Sequence, residues 1–427
     1  MSHVTKGKKA VLAAVLGNIL EWYDFVVYAY LAGIIGKNFF HADDPTSSLL
    51  MSFAVFGVGF LFRPLGAVVI GKVGDIKGRK TALLITIFMM ALGTMMIGLI
   101  PSYASIGIFA PILVVAARLM QGFSAGGEWG GSTSFIVEWA PDKGRGFYGS
   151  FQQASTVTGM LLGSAVAALV STIFSAEALE GWAWRLPFLF GAILGPVGLW
   201  MRRGIEETPA FVEVKKEQEK AETPAPAAVP GEDSPLMACA RSFGFTVVWT
   251  VSFYIFLNYL PTFTQNFAGI TRSQSLWAST ICLFSLVIMI PIFGTLSDKI
   301  GRRPLLLACC LSMIILPYPF MKWMVGGAGF GLIIVMEVVL AFFISMFSGA
   351  GPAAISEIFP THSRSFLLSV SYALAVTIFG GFAPFIATKL IQVTGSPLSP
   401  SIYVAICGAI SFFTIWKMRE TAFDKLK

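Results

Sequence analysis

Apolar residues run along this chain in stretches of about twenty, the length a helix needs to cross a bilayer, separated by short clusters of Gly, Pro and charged residues. The breaks predict twelve helices, over residues 11–36, 49–70, 82–100, 110–138, 147–171, 184–201, 242–264, 275–296, 304–324, 330–356, 366–391 and 398–417. Lipid offers no hydrogen bonds, so each span must satisfy its own backbone, and a helix does so within one segment. The expected fold class is an all-α membrane protein of twelve transmembrane helices, an even number that returns the chain to its starting side.

The only long polar tract, 203–236, falls between spans six and seven and divides the chain into six-helix halves, 1–202 and 237–427, with a charged and Pro/Ala-rich linker between them. The halves repeat. Gly71-Lys-Val-Gly-Asp75-Ile-Lys-Gly78-Arg79-Lys80 returns as Gly294-Thr-Leu-Ser-Asp298-Lys-Ile-Gly301-Arg302-Arg303, and Glu138-x-x-Pro141-x-x-x-Arg145 as Glu357-x-x-Pro360-x-x-x-Arg364. The offsets, 223 and 219, nearly coincide, which indicates a duplicated six-helix unit. Parallel repeats of this kind build one large class of secondary transporters, with the substrate between the halves near the midplane.

Composition removes the alternatives. At 56% hydrophobic and 12% charged, the chain is no soluble globule. Five cysteines and three histidines show no ligand spacing, so neither a disulfide nor a metal site is expected, and no cofactor motif is present. The net charge of +7 is scattered between apolar segments, unlike a nucleic-acid surface. With the N-terminus placed inside, 23 of 30 Lys and Arg fall on the inner side and 5 on the outer, so both termini are expected in the cytoplasm. Lys6, Lys8 and Lys9 before an apolar run resemble a signal peptide, but the run continues to Gly36 through Glu21 and Asp24 and is read as an uncleaved first span.

Candidate chemistry lies inside the spans. Glu21, Asp24, Arg63, Arg118, Glu128 and Glu337 are intramembrane charges, each costing about 2.5 kcal/mol or more unless it meets a partner or a wet cavity. A guanidinium presents a rigid fork to a carboxylate, so Arg63 and Arg118 are candidate anchors for a small organic anion. An Arg63–Asp24 ion pair is the structural alternative. Asn18, Tyr28, Gln152, Gln153, Thr156, Tyr254, Asn258, Tyr259 and Tyr372 surround these charges as polar groups that serve either a ligand or helix contacts. Gln152 and Thr156 share a helix face, as do Tyr254 and Asn258. Glu21 and Asp24 also share a face, and a carboxylate held between desolvation and a nearby arginine is suited to carrying a proton, Asp24 first because Tyr28 lies one turn along, with Glu21 and Glu128 as substitutes. The 219 offset carries Arg118 onto Glu337, which leaves two readings: the two face each other, or Glu337 is wetted from outside. The glycines from Gly122 to Gly131 lack the Lys-Ser/Thr of a phosphate loop and read as close helix packing.

The Gly-x-x-x-Asp-x-x-Gly-Arg-Lys/Arg repeats and Arg118-Leu-Met-Gln-Gly122 resemble signatures of the major facilitator superfamily. Within it, Gly17-Asn18-x-x-Glu21-Trp22-Tyr23-Asp24-Phe25, Gly59-Phe-Leu-Phe-Arg63-Pro64, Gln121-Gly122-x-x-x-Gly126-Gly127-Glu128, Gly146-Phe147-Tyr148 and Trp184-Arg185-x-Pro187-Phe188 are similar to the metabolite:proton symporter family. The resemblance implies a monomeric proton symporter of a bacterial inner membrane, not an enzyme, a sensor or a multidrug exporter. It also implies a latch on the cytoplasmic side formed by Asp75, Arg79, Glu138, Arg145, Asp298, Arg302, Glu357 and Arg364. Ile378-Phe379-Gly380-Gly381-Phe382-Ala383-Pro384 looks like the citrate and 2-oxoglutarate branches, whereas Thr262 and Arg419-Glu420-Thr421-Ala422 look like the proline/betaine branch. No extended coiled coil, as osmosensing members of that branch carry, follows residue 418, so the expected cargo is a carboxylate, citrate or a related tri- or dicarboxylate first, with a zwitterionic osmolyte as the alternative.

Overall fold

In a computed structural model of the chain the described residues are 3–41, 44–77, 79–126, 129, 132–133, 136–137, 140–141, 143–203, 234–359 and 364–424. Side chains are described from residue 15 onward, apart from 71–72, 74–77, 79–80, 82–83, 192, 194, 197–203 and 365. Glu128 and Glu138 and the side chains of Asp75 and Arg79 lie outside that set.

Among the described residues, twelve helical spans follow one another. α1 comprises His3–Tyr30 and, past a bend, Ala32–Phe39; α2 comprises Pro45–Leu61 and Arg63–Lys77; α3 is Arg79–Leu99, α4 Phe109–Ala125, α5 Arg145–Ile173 and α6 Leu186–Arg203. α7 runs through Pro235–Tyr254, a π turn at Ile255–Tyr259 and Leu260–Phe267; α8 is Arg272–Ile300; α9 is Arg303–Ile315 and Pro317–Val325. α10 is Phe330–Ser356, α11 runs through Arg364–Ala375, a π turn at Val376–Gly381 and Ala383–Thr394, and α12 is Ser399–Lys417. Among the described residues there is no strand.

The twelve expected spans are thus all present, but five are not the plain rods that apolar runs predict. α1 turns by 66° at Leu31 and α9 by 41° before Pro317, where proline has no N–H to continue the ladder. α2 breaks at Phe62, ahead of Arg63-Pro64, and α7 and α11 each insert a π turn in mid-span. A π turn forces backbone groups out of register and is found mostly at functional sites. The motif aspartates fall beyond the expected spans 49–70 and 275–296. Instead, Asp75 and Asp298 sit in the last turns of α2 and α8, because α8 continues to Ile300 and ends only where Gly301 takes φ 97°.

The spans alternate in direction, so one end of the bundle carries the chain termini and the motif turns; the opposite end is called the far side. The first six helices meet the last six mainly where α5 packs on α8 and α10, and where α2 packs on α11. Close approach is built with glycine, as the sequence suggested. A Cβ on Gly122 of α4 would collide with the Gly59 carbonyl of α2, so these two helices touch backbone to backbone beside Arg63 and Arg118.

Candidate functional site

Arg63 and Arg118 meet at the middle of the bundle, held by a cage of rings. The Arg63 Cζ stands 4.3 Å from the centroid of Phe60, 4.9 Å from Phe25 and 5.8 Å from Trp22. Arg118 stands 4.2 Å from Phe25, 4.7 Å from Tyr28 and 4.9 Å from Phe56. Such contacts contribute about 2 kcal/mol when desolvated, which offsets only part of the cost of burying each cation. Arg118 donates from Nη1 to Gln121 Oε1 at 2.8 Å and from Nη2 to Phe56 O at 3.4 Å; its Nε has no acceptor. No hydrogen bond or ion pair to Arg63 is seen among the described residues, and no carboxylate pairs with Arg118. The Arg63–Asp24 ion pair does not form.

From the other half, Tyr254 packs its ring against Phe60 at 5.3 Å, Phe56 at 6.2 Å and Trp22 at 6.4 Å. Beside it, Trp22, Gln153, Trp249, Thr250, Phe253, Tyr254 and Tyr372 enclose a space of about 10 Å³. Tyr372 is stacked on Trp129 with centroids 3.6 Å apart. Three side chains of this lining carry a buried polar atom without a partner, Tyr254 OH, Thr250 Oγ1 and Gln153 Oε1; Gln152 Nε2 and, in the π turn, Asn258 Oδ1 lack one too. Buried polar groups are normally satisfied, so such a cluster is where a ligand's polar atoms belong.

Asp24 lies on α1, away from that box. It is buried, its Oδ1 accepts no hydrogen bond, and it lines a second space of about 10 Å³ with Glu21, Thr86 and Ser124. Gly191 of α6 faces it so closely that a Cβ there would strike Oδ1. Thr94 is within its reach. The Thr94 hydroxyl donates to Met90 O and accepts Gln121 Nε2 at 2.8 Å. It can give its hydrogen to Met90 O or to Asp24, not to both at once. A polar chain Arg118–Gln121–Thr94–Asp24 links the guanidinium to the acid.

The terminus side is closed by a charged lattice across the halves. Asp298 accepts the α5 N-terminal amides of Gly146 at 2.8 Å and Phe147 at 2.9 Å and pairs with Arg302 at 2.8 Å. A carboxylate at a helix N-terminus meets both orphan amides and the positive end of the helix dipole. Glu357 pairs at 3.4 Å with both Arg302 and Arg145, and accepts from Thr421 Oγ1. Burial pushes the Glu357 carboxyl above its usual range, while Arg302, Thr421 and Arg145 act against the shift. Arg145 also donates to the Ala422 and Asp424 carbonyls, and Glu420 accepts from the Arg302 and Arg303 amides. Arg364 donates to the Ser356 and Phe359 carbonyls.

On the far side, clefts of about 380 and 370 Å³ open between α1/α2 and α7/α11; Tyr30 lines the first, and its OH donates to Leu257 O of α7. Ser164 of α5 also bonds Thr280 of α8. Among the described residues, these bonds tie the halves together on the far side as the lattice does on the terminus side.

The structure brings together Arg63, Arg118, Gln153, Tyr254 and Tyr372; Gln152 meets Asn18 of α1 through its carbonyl, and Asn258 lies in the π turn of α7. Two other candidates for substrate contact are engaged elsewhere: Asn18 Nδ2 donates to Ser155 and Thr156 of α5, and Tyr28 OH donates to Ser52 O. Sequence reasoning missed Gln121 and Thr94, although Arg118-x-x-Gln121 has the spacing of one helix face. It also missed the ring cage, which is hard to single out in a chain with 14% aromatic residues.

The fold is that of a transporter, and known proteins agree. The chain superposes on the xylose transporter of E. coli in a partially occluded inward-open conformation, with a TM-score of 0.79 at 19% identity over 98% of this chain and 99% of that one. It superposes on a major facilitator proton:xylose symporter bound to a bromodeoxyglucose with a TM-score of 0.81 at 17% identity, over 100% and 98%. The profile of the family described as sugar (and other) transporter matches residues 9–234 and 243–427. A glycine betaine/proline/ectoine/pipecolic acid transporter of Dickeya dadantii is 35% identical over 98% of this chain and 85% of its own. A citrate-proton symporter of Klebsiella pneumoniae is 35% identical over 97% and 93%. The chain is a multi-pass membrane transporter, not an enzyme. It belongs to the sugar (and other) transporter family of the major facilitator superfamily, among the metabolite:proton symporters.

Proposed function

We propose that the chain imports a small carboxylate-bearing solute together with a proton across a bacterial inner membrane, both termini lying in the cytoplasm. The observation that carries this reading is the pair of buried guanidiniums without a carboxylate partner among the described residues. Leaving such charges uncompensated is costly, and the anion of the cargo is the natural counter-charge. Arg63 and Arg118 bind the carboxylate, and Gln152, Gln153, Tyr254, Asn258 and Tyr372 supply the remaining polar contacts.

The sequence favoured citrate; the geometry favours the alternative, a zwitterion such as glycine betaine or proline. Trp22, Trp249, Phe253, Tyr254 and Tyr372 form a box next to Arg63, and aromatic faces are what a quaternary or secondary ammonium binds. Citrate would need countercharge for three carboxylates where two arginines stand. A thermal-shift series on purified protein separates the two. Glycine betaine and proline are expected to raise the melting temperature, a ligand at 100 times its Kd stabilising by about 2.7 kcal/mol. Stabilisation by citrate and not by betaine would give the site to the tricarboxylate.

Alternating access follows from the lattice on the terminus side. Asp298, Arg302, Arg145 and Glu357 hold that side closed while the far side loads, and cargo and proton together release it. Hydrogen bonds to a charged acceptor contribute about 1.5–3 kcal/mol each, and a conformational equilibrium balanced within a few kcal/mol responds strongly to losing one. Asp298→Asn is therefore expected to shift the protein toward opening on the terminus side by a factor of about 10 or more, read by modification of cysteines introduced along α5 and α8. Unchanged modification on both sides would remove Asp298 from the latch.

A further inference from the structure

Glu337 of α10 is 1% exposed, and neither carboxylate oxygen has a hydrogen-bond partner. It neither pairs with Arg118 nor meets solvent, so neither sequence reading holds. Seven residues into α10, it sits about 10 Å from the far-side end of that helix. Its own helix surrounds it with Ile333, Leu340 and Ala341.

The titratable groups close enough to act on it are Tyr30 of α1 and Cys282 of α8, whose Sγ donates to the Glu337 carbonyl. The others on helices packed against α10 lie at different depths: Arg272 and Lys322 at the far-side ends of α8 and α9, Asp298 and Lys299 at the terminus end of α8, Arg145 and Tyr148 at the terminus end of α5, Arg364 at the terminus end of α11, and Cys309 of α9 beside Phe347, about three turns further along α10. Arg241 and Tyr254 of α7 lie at its terminus end and beside the central box. No cation faces the carboxyl among the described residues.

Tyr30 makes the connection to solvent. It lines the 380 Å³ far-side cleft and has Ser279 of α8 within reach of its hydroxyl. Its bond to Leu257 O joins the two halves close to Glu337. With that bond formed, the carboxyl lies in an apolar site with no counter-ion among the described residues; breaking it would let the cleft reach the carboxyl. Proteins avoid such a buried unpaired anion by neutralising it.

We propose that Glu337 is a proton-binding site separate from Asp24, and that the far side closes over it only after a proton from the far-side solution has bonded to one of its carboxylate oxygens. The proton arrives past Tyr30 and leaves by the same cleft when the far side reopens. Closure of the far side therefore becomes acid-favoured, with or without cargo.

The test needs no solute, so its failure leaves the substrate reading untouched and a wrong substrate leaves it intact. Spin labels at Thr46→Cys and Asn266→Cys, which flank the far-side clefts from α2 and α7, report opening as a distance distribution in full-length protein carrying Cys239→Ser. Asp24→Asn is included to take that carboxyl out of the titration. Raising the pH is expected to move the population from short to long distances when residue 337 is Glu. In Glu337→Gln the short distance should persist at every pH, and in Glu337→Asp the transition should return. A Glu337→Gln protein that opens with pH as its parent does would overturn the proposal. Should that variant fail to fold, the infrared C=O band of a protonated carboxyl in the closed protein takes its place: a band that moves in Glu337→Asp is expected, and one unmoved overturns the proposal.

Discussion

Asp24→Asn is expected to abolish concentrative uptake while leaving exchange of solute intact. In proteoliposomes, a pH difference of two units is worth about 2.7 kcal/mol and supports roughly 100-fold accumulation of a neutral solute carried with one proton. Without the proton site, the same gradient should leave the ratio at about one. The reason lies in the surroundings of Asp24: an oxygen without a donor, a glycine opposite, and a Thr94 hydroxyl whose one hydrogen Met90 O also takes. Through Thr94 and Gln121, its protonation state reaches Arg118, so binding the proton and holding the anion are linked. Retained gradient-driven accumulation would move the proton to another carboxyl, and Glu21→Gln in the same assay would identify the neighbour.

Arg118→Lys should weaken solute binding by roughly 10- to 100-fold although the charge is kept. The substitution removes the fork that spans Gln121 and a carboxylate together, and a lost charge-assisted hydrogen bond is worth about 1.5–3 kcal/mol. A lysine ammonium also cannot lie flat against Phe25, Tyr28 and Phe56 as the guanidinium does. Calorimetric titration of the purified variant with glycine betaine reads the change. Affinity equal to wild type, in a protein with an unchanged melting temperature, would take Arg118 out of the binding site.

The spans were legible because bilayer thickness imposes a length that apolar runs display, and Arg63 and Arg118 were legible because charges are rare in such runs. What the runs do not display is backbone irregularity. The bend at Leu31 has no proline at it, and the π turns at Ile255–Tyr259 and Val376–Gly381 leave the apolar pattern unbroken. Partner choice was hidden as well. Asn18 and Tyr28 looked like ligand donors, yet Ser155, Thr156 and Ser52 engage them. Glu357, five residues after Pro352 of α10, crosses to Arg145 of the other half, a pairing that no spacing within one motif specifies. Glu337 illustrates the same limit: the repeat placed it opposite Arg118 in sequence, whereas packing set it beside Tyr30 and Cys282.

The central claim, coupled movement of a proton and a carboxylate-bearing zwitterion, is tested most directly by labelled glycine betaine in proteoliposomes with an inwardly directed proton gradient. Accumulation above the external concentration, abolished by a protonophore and by Asp24→Asn, is the predicted result. Betaine that merely equilibrates, or that accumulates equally with the gradient collapsed, would contradict it.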